Sequence, residues 1–574
     1  MTESGSRACQ WIVGGAAVLA LVYLPTLSAP FDFIDDGDLV YPAPPGTTLR
    51  GHVELWWNRV AANVDHLGPF RPVLWAHWHL QANLFDANPQ LWRLFRFVWC
   101  MLSAGMLLWL FRELGIPPPA ALIAGAAAMW NPYRNEIWTS LTLSEGVVMP
   151  YALFALVAAR KGALSERPVG LPTCRQADSP TVWWDVAGIA CVLIALGCKN
   201  TFAAIVPAQI ALRMWPEGTT LRAAWRQHRW RVLLFATPLV LPVGHLIYFK
   251  LNWHPGQYAT HDPSLEQFFR ILGCLKGAMG LDFLGVGIAL AAVVVWWCGP
   301  TPPSSVPSRR EGEQSAEGSE SPRCSERATD SPSLQGGGWG VGPTLRPALL
   351  CAMLLLAAGI VMYLPVNIVS GRYAMPAVWG LDILFAVLLS ALLKLPVGTP
   401  RSAALFALCT GLVLVLVVNI HRQEKAAARS RMLWQVVHHI EANAPQGATV
   451  AWVSGDSLNG ELGAEEGIHL QWHLAHRGRP DIRVALFDST EQPLARVELP
   501  PATDEPLLRV TSSPVATTRI WEQDRSFAMV YQFGRKRYDC CVSRRLPPPR
   551  FADEATRAEV GRLFRAMMPP PGTP

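Results

Sequence analysis

The sequence predicts an α-helical polytopic membrane protein with about eleven transmembrane helices, followed by a small extracytoplasmic α/β domain at the C-terminal end. Three observations lead to this fold class. The 574 residues are 51% hydrophobic and only 16% charged, whereas soluble domains carry about 25% charged residues. Apolar runs long enough to cross a bilayer recur up to about residue 420. Beyond that point short alternating segments replace them, as is typical of strands.

The apolar runs define the predicted membrane part. The first run, at residues 11–29, has the length of a signal peptide, but no small-x-small cleavage site precedes the acids that follow it, which favours a retained helix. Ten further runs complete the predicted spans, at about residues 94–111, 119–132, 143–159, 184–198, 201–215, 232–249, 271–298, 346–366, 373–393 and 402–420.

The distribution of Lys and Arg predicts the orientation of the chain. Basic residues collect in the segments 160–183 and 213–231, which places both on the cytoplasmic side. Segment 299–345 falls on the same side and is rich in Ser, Pro, Glu and Gly, so we expect a disordered cytoplasmic loop. By alternation the N-terminus is cytoplasmic, while the first loop, at residues 30–92, and everything after residue 420 lie outside.

Residues 421–574 are predicted to form the extracytoplasmic domain. An amphipathic helix is expected at 423–443, a second helix at 463–477 and a Pro-rich tail at the end. Alternation typical of strands occurs at 448–454, 482–488, 507–511 and 527–533. No phosphate-binding loop, dinucleotide fingerprint, zinc-protease or serine-hydrolase motif is present in the sequence.

Charge and cysteine content exclude other classes. The net charge of +6 is small for this length and the basic residues occupy short loops, which is not the pattern of a nucleic-acid-binding protein. The twelve cysteines are scattered, several of them inside apolar runs. They predict neither a disulfide framework nor a zinc site.

An acidic cluster directly follows the first apolar run, where the chain reads Phe31-Asp-Phe-Ile-Asp-Asp-Gly-Asp38. In a partly dehydrated cleft, one of the adjacent carboxyls of Asp35 and Asp36 acquires a raised proton affinity and can act as a base. Alternatively, the pair holds a divalent cation, Mg²⁺ or Mn²⁺, between them. Asp38 is then a candidate for substrate binding. The competing interpretation is a solvated turn that Gly37 ends.

Two cations at span boundaries are candidates for binding a phosphate. Arg372 lies at the outer end of an apolar span and is followed by Tyr373. The fork of an arginine suits a phosphate, although an arginine at this depth also reaches the headgroups by snorkelling. Lys199 lies between two apolar runs and is either a second phosphate ligand or an interfacial lysine.

For two further groups of polar residues, the sequence allows both a functional and a structural role. Arg134 and Glu136 lie at an outer boundary, where they either meet the acidic loop and substrate or form ion pairs and interfacial anchors. The first loop also contains four histidines, His52, His66, His77 and His79. They could bind a metal ion, or they could pack a helix against the membrane surface. A spacing of two puts the last two on different faces of a helix, which favours packing.

In their order along the chain, these residues resemble the GT-C superfamily of polytopic glycosyltransferases, which includes protein O-mannosyltransferase-like and aminoarabinose-transferase-like enzymes. Asp35-Asp36 matches the acidic motif of the first extracytoplasmic loop. The other matching segments are Phe70-Arg71-Pro72-Val73-Leu74 with Asn88-Pro89, Trp130-Asn-Pro-Tyr-Arg-Asn-Glu136, Lys199, and Arg372-Tyr373 before Met375-Pro376. Two positions depart from some relatives, because Asn200 replaces the glutamate of a Lys-Glu motif and Arg93 lies near the place of a histidine.

The resemblance implies an inverting glycosyltransferase of the bacterial inner membrane. It would take a hexose or pentose from a polyprenyl-phosphate carrier and transfer it to an extracytoplasmic protein, lipid or glycan. The implied roles are catalysis by Asp35 or Asp36, phosphate binding by Arg372 and Lys199, and substrate contact by Tyr373, Arg134, Glu136 and Asp38.

Two other functional classes remain open from the sequence. A transporter or flippase of a lipid-linked or anionic substrate would also use intramembrane cations, but the sequence has no evident internal repeat and its charges gather at one face. A sensor or assembly protein would instead bind a partner through the exported domain.

Overall fold

The computed structural model describes most of the membrane part and short stretches beyond it. Described are residues 3–31, 43–67, 70–86, 88–165, 180–214, 221–252, 264–297, 345–364, 374–443, 446, 449–453, 470, 473–474, 478–479, 481–487, 507–511, 527–533 and 536–543. The acidic cluster with Asp35, Asp36 and Asp38, the pair Arg372-Tyr373 and nearly all of the predicted loop 299–345 lie outside these residues. So does most of the helix predicted at 463–477.

Helices dominate the described part of the chain. The first eight are α1 Glu3–Ala20, α2 Leu49–Leu67, α3 Pro72–Phe85, α4 Pro89–Glu113, α5 Pro118–Met129, α6 Glu136–Thr139, α7 Ser144–Ser165 and α8 Pro180–Cys198. The following eight are α9 Ile205–Met214, α10 Leu221–Ala236, α11 Val240–Asn252, α12 Leu265–Ala278, α13 Leu281–Trp297, α14 Arg346–Tyr363, α15 Met375–Lys394 and α16 Thr399–Asn443. A 3-10 helix, Leu21–Ser28, continues α1.

Six helices in the described residues are long and apolar enough to cross a membrane: Cys9–Ser28, Pro89–Glu113, Ser144–Ser165, Arg346–Tyr363, Met375–Lys394 and Thr399–Ala428. Three shorter helices are also apolar: Pro118–Met129, Val182–Cys198 and Leu284–Trp297. The chain is therefore a helical, multi-pass membrane protein, as its composition predicts.

Four of the predicted spans are not single α-helices. The run at 11–29 passes from α1 into the 3-10 helix Leu21–Ser28. The run at 201–215 begins as the 3-10 helix Asn200–Ala204 before α9. The run at 232–249 is interrupted by the 3-10 turn Thr237–Leu239, where Pro238 lacks the N–H that a continuous helix needs. The run at 271–298 divides into α12 and α13 at Gly280, whose φ of 66° is left-handed.

Small residues allow the closest helix contacts in the bundle. Gly359 of α14 lies against Ala377 of α15, and Gly380 of α15 lies against the carbonyl of Ala352 in α14. Each glycine therefore faces the backbone of the other helix, which is how helices approach closely in a membrane. α15 is the helix that begins just after Arg372-Tyr373, so this packing fixes the start of α15 on the bundle.

The last membrane helix extends well past its apolar part. α16 is continuous from Thr399 to Asn443, so the span predicted at 402–420 and the amphipathic helix predicted at 423–443 are one helix. No Gly or Pro occurs between residues 412 and 444, and nothing in that stretch therefore favours a break.

Five strands follow α16 in the described residues: β1 Thr449–Val453, β2 Arg483–Phe487, β3 Leu507–Thr511, β4 Phe527–Phe533 and β5 Lys536–Ser543. They form one sheet in the order β2-β1-β3-β5-β4. β1 pairs in parallel with β2 and β3, whereas β5 pairs antiparallel with β3 and β4. β1 to β4 coincide with the four alternating segments of the sequence, and β5 is the strand that the pattern does not predict.

The extended end of α16 contacts the residue that precedes the acidic cluster. The indole N–H of Trp434 donates to the carbonyl oxygen of Phe31 at 3.1 Å. The ring of His473 stacks on Phe31, with 6.0 Å between ring centroids, and lies 4.9 Å from the ring of Trp434. The C-terminal part of the chain therefore helps to fix the point at which the first loop leaves the membrane part.

Candidate functional site

The buried charged side chains of the described residues fall into two groups. One group, the upper cluster, consists of Arg93, Arg96, Arg134, Glu145, Lys199 and Asp382. The other, the lower cluster, consists of Glu113, Arg160, Asp185 and Arg213. The lower cluster holds two cations and two carboxylates, whereas the upper cluster holds four cations and two carboxylates. Among the buried charged side chains of the described residues, cations therefore outnumber carboxylates in the upper cluster.

The two clusters lie at opposite ends of the membrane helices. α7 carries Glu145 in its first turn and Arg160 near its end. Fifteen residues of helix separate them, which corresponds to about 22 Å along the axis. No charged residue occurs in α7 between these two. The apolar band between the clusters therefore approaches the thickness of a bilayer core, about 30 Å.

Lys199 and Glu145 form the centre of the upper cluster. The Nζ of Lys199 donates to Oε1 of Glu145, and both side chains are almost fully buried. The hydroxyl of Ser144 donates to the other carboxylate oxygen at 3.2 Å. Lys199 directly follows α8, so its side chain reaches α7 from the end of a neighbouring helix. This pairing allows both charges to stay ionised away from water.

Two arginines of α4 lie beside this pair. Arg96 donates to the carbonyl oxygens of Leu141 and Leu143 and contacts Gly146. Arg93 donates to the carbonyl oxygen of Thr139, and at 2.9 Å to that of Pro30. These carbonyl oxygens hold the two guanidinium groups in place, and each arginine brings a positive charge to the upper cluster.

Arg134 is held by an acid from the opposite part of the sequence. Its two terminal nitrogens donate to the two carboxylate oxygens of Asp382, at 2.8 and 2.9 Å, and its Nε donates to the carbonyl oxygen of Ala278 at 2.5 Å. The side-chain amide of Asn131 donates to the same carbonyl at 2.7 Å. Arg134 thus joins the start of α15 to the corner between α12 and α13.

Two segments that carry the resemblance pack together. Val73 of the Phe70-Arg71-Pro72-Val73 segment contacts Gly197, two residues before Lys199. The half-buried Arg71, directly before α3, therefore lies near the end of α8. The absence of a side chain at Gly197 permits this approach, since a methyl group there would clash with a methyl of Val73.

His77 takes part in a polar and aromatic cluster beside Arg96. Its ring nitrogens lie 3.2 Å from the hydroxyl of Tyr151 and 2.9 Å from the amide of Gln81. The ring of Trp99 is 5.2 Å away and edge-on. Burial, and then the charge of Arg96, lower the pKa of His77 to about 4. His77 is consequently neutral at physiological pH.

His79 faces the other side of α3, as the spacing predicts. Its Nε2 lies 3.1 Å from Nδ1 of His52 in α2. Burial, followed by the charges of Arg59 and His52, lowers the pKa of His79. Within the described residues no three His, Cys, Asp or Glu side chains come together as metal ligands. The side chain of His66 lies outside the described part.

The predicted site residues divide into three sets. Lys199 and Arg134 are both buried in the upper cluster, whereas Glu136 is exposed. Asp35, Asp36, Asp38, Arg372 and Tyr373 lie outside the described residues, and their roles stay predictions. Their segments adjoin described parts of the upper cluster, since Pro30 binds Arg93 and Asp382 lies two turns into α15.

Sequence patterns do not single out three members of the upper cluster, Arg96, Glu145 and Asp382. One signal could have found the two acids. Asp382 is the sole acid of α15, and Glu145 is the sole acid of α7. An isolated acid inside an apolar run implies a buried partner, because a carboxylate in hydrocarbon is costly. The signal shows that a partner exists but does not identify it.

Comparison with known proteins finds no family model that matches the chain. No curated protein matches it significantly in sequence.

Proposed function

We propose that the protein is a membrane glycosyltransferase that transfers a sugar from a polyprenyl-phosphate carrier to an extracytoplasmic acceptor. The observation that carries this proposal is the group of four buried cations in the upper cluster, Arg93, Arg96, Arg134 and Lys199. Cations gathered in a buried site attract an anion. A phosphate attached to a lipid reaches such a site from within the bilayer, whereas a soluble anion would approach from water.

The chemistry requires a base and a stabilised leaving group. The acceptor hydroxyl attacks the anomeric carbon, the bond from that carbon to the phosphate oxygen breaks, and the phosphate leaves with the electron pair. In this proposal Asp35 or Asp36 takes the hydroxyl proton. Arg372 and Lys199 stabilise the negative charge on the departing carrier phosphate. Attack from the face opposite the phosphate inverts the anomeric centre.

The upper cluster supports these roles through its connections. Pro30 and Phe31, which lead into the acidic segment, are held by Arg93 and Trp434. The start of α15, which follows Arg372-Tyr373, is held through Asp382 by Arg134. Both segments to which the proposal assigns chemistry therefore begin from the cationic end of the bundle. Tyr373, Glu136 and Asp38 are proposed to contact the sugar or acceptor, and a Mg²⁺ or Mn²⁺ ion between Asp35 and Asp36 is the alternative role of that pair.

The proposal further places the enzyme in a bacterial inner membrane with about eleven spans, the N-terminus inside and the α/β domain outside. This orientation is based on the Lys and Arg residues of segments 160–183 and 213–231, since such residues are enriched on the cytoplasmic side of a membrane. The lower cluster, which includes Arg160 and Arg213, would then face the cytoplasm, and the upper cluster the extracytoplasmic side.

Transfer in vitro from a labelled polyprenyl-phosphate sugar tests the proposal. The full chain should turn over the donor, and Asp35→Asn or Asp36→Asn should slow the chemical step by about 10²-fold or more if that residue is the base. Asp86→Asn is the matched control, because Asp86 is an exposed acid of the same loop. Arg372→Ala should instead weaken binding of the charged lipid, with Arg270→Ala, an exposed arginine, as its control.

Near-normal turnover in all three site variants would contradict the assigned site. Movement of the lipid-linked sugar across the bilayer without bond cleavage would favour the flippase instead. Buried ion pairs such as Lys199 with Glu145 occur in transporters as well, so the assay must separate product formation from translocation.

A further inference from the structure

α10 differs from its neighbours in charge and exposure. The helix contains four arginines and no Asp or Glu. Arg226 and Arg229 are exposed, whereas Arg231 is partly buried, with its Nε 3.8 Å from the carboxylate of Asp185. Arg231 therefore ties α10 to the lower cluster, and Arg226 and Arg229 face away from the bundle.

Apolar side chains continue the same exposed surface toward the C-terminal end of α10. Trp230 is 71% exposed, Leu233 is 53% exposed and Leu234 is 48% exposed. The guanidinium of Arg229 lies 5.5 Å from the centre of the Trp230 ring. Residues 226, 230, 233 and 234 follow helical spacing, so they share one face. That face changes from basic to aromatic to aliphatic along the axis.

This order matches the polarity gradient at the edge of a bilayer. Arginine suits the headgroup level, tryptophan the interface, and leucine the acyl region. Arg226 and Leu233 are seven residues apart, about 10 Å along a helix, which is the depth over which that transition occurs. Exposed leucines would be unfavourable in water, but at the edge of a bilayer they contact acyl chains while the arginines next to them contact headgroups.

We propose that α10 binds the headgroups of anionic phospholipids through Arg226 and Arg229, while Trp230, Leu233 and Leu234 lie in the membrane beneath them. The guanidinium groups pair with the lipid phosphate. Selectivity for anionic lipids follows from net charge, because the choline of phosphatidylcholine repels the same arginines. The surface lies at the lower cluster, and the proposal is independent of the transfer reaction.

The test measures how strongly spin-labelled phosphatidylglycerol associates with the full chain in bilayers, compared with spin-labelled phosphatidylcholine. The wild type should prefer phosphatidylglycerol, and raising the salt concentration from about 0.05 M to about 0.5 M should reduce the preference. At low salt, the Arg226→Gln, Arg229→Gln double variant should have a lower preference for phosphatidylglycerol, by about fivefold for each charge removed. A double lysine variant should retain it, since headgroup attraction needs charge more than shape.

The matched control removes two exposed arginines elsewhere. Arg50 and Arg270 are each exposed and paired with a glutamate one helical turn away, so Arg50→Gln with Arg270→Gln should leave the lipid preference unchanged. Absence of a preference in the wild type would overturn the proposal, and so would full preference in the Arg226→Gln, Arg229→Gln variant. Equal losses in both double variants would also overturn it, since they would indicate an effect of total charge.

Discussion

Arg134 and Asp382 are 248 positions apart in the chain, yet they form an ion pair with two hydrogen bonds deep in the bundle. Both side chains are at least 97% buried. The pair connects the loop after α5 with α15, and thereby sets the position of the helix that follows Arg372-Tyr373. Because both groups are far from water, each compensates the buried charge of the other.

Removing one member of this pair should destabilise the protein strongly. Asp382→Asn leaves the guanidinium of Arg134 without a counter-charge, and breaking a buried pair typically costs about 3–5 kcal/mol. We expect a clear drop in the thermal unfolding temperature in detergent. Asp282→Asn is the control, since Asp282 forms an exposed pair with Lys276, and its unfolding temperature should stay near the wild-type value.

A double replacement separates pairing from packing. Arg134→Met with Asp382→Leu removes both charges and keeps apolar bulk, so it should recover much of the stability lost in Asp382→Asn. A double variant as unstable as the single one would contradict this expectation, and would show that losing the bond from Arg134 to the carbonyl of Ala278 costs as much as leaving Arg134 without its carboxylate.

Close packing of α14 on α15 predicts a second effect on stability. A methyl group at position 380 would lie 2.5 Å from the carbonyl oxygen of Ala352, so Gly380→Ala should force the helices apart and cost about 1–3 kcal/mol. Gly244 of α11 has no atom within 4 Å of the corresponding position. Gly244→Ala should therefore be neutral or stabilising. Equal unfolding temperatures for the two variants would contradict the packing described here.

Much of the membrane part could be predicted from the sequence, because apolar length is a local property. The six helices that can span a membrane all coincide with predicted runs. The break between α12 and α13 at Gly280 could not be predicted in the same way, since the hydropathy of the two helices is that of one apolar segment. The bonds of Asn131 and Arg134 to Ala278 hold the corner there, and they come from a distant part of the sequence.

The candidate site could be predicted only in part. Lys199 and Arg134 can be chosen as candidates from the sequence because each lies at the boundary of an apolar run. Their partners, Glu145 and Asp382, depend on which helices become neighbours, and no local pattern carries that information. The sequence consequently indicates where buried charges occur, while the structure shows how they pair.

The proposed orientation predicts which cysteines react from outside the cell. Cys540 and Cys541 lie in β5, which the proposal places outside, whereas Cys324 belongs to the predicted cytoplasmic loop. A membrane-impermeant thiol reagent applied to intact cells should label Cys540 or Cys541 and spare Cys324, as mapped by mass spectrometry of peptides. Permeabilised cells should show labelling of Cys324. The reverse pattern in intact cells would exchange the two sides of the membrane.

His77 predicts a pH dependence of stability. Its pKa is lowered from 6.5 to about 4 in the folded protein, so between these values the unfolded chain binds a proton that the folded chain does not. The free energy of unfolding should therefore fall as the pH decreases from about 6.5 toward 4. Below about pH 4 both states bind the proton, so His77 causes no further change. His77→Gln removes the contribution, and its unfolding temperature should depend less on pH over that window. Identical pH profiles for the two proteins would show that His77 is not held neutral.

The pair of Lys199 and Glu145 allows a role in binding to be separated from a role in folding. Lys199→Gln alone removes the cation that pairs with the buried carboxylate of Glu145 and should lower stability as well as donor turnover. Adding Glu145→Gln removes that charge and should restore the unfolding temperature. If Lys199 binds the carrier phosphate, turnover and lipid binding should stay low in the restored double variant.

Lys199→Arg completes the comparison, because it retains the positive charge beside Glu145. The proposal expects the arginine variant to keep carrier binding better than the stable, neutral double variant does, since attraction of the phosphate depends on the charge. Both would be compared by the apparent affinity for the polyprenyl-phosphate sugar and by the rate of transfer at saturation. Should the double variant regain full turnover together with its stability, Lys199 serves only to neutralise Glu145. Arg93 and Arg96, which are buried in the upper cluster as well, would then be the cations to test for carrier binding.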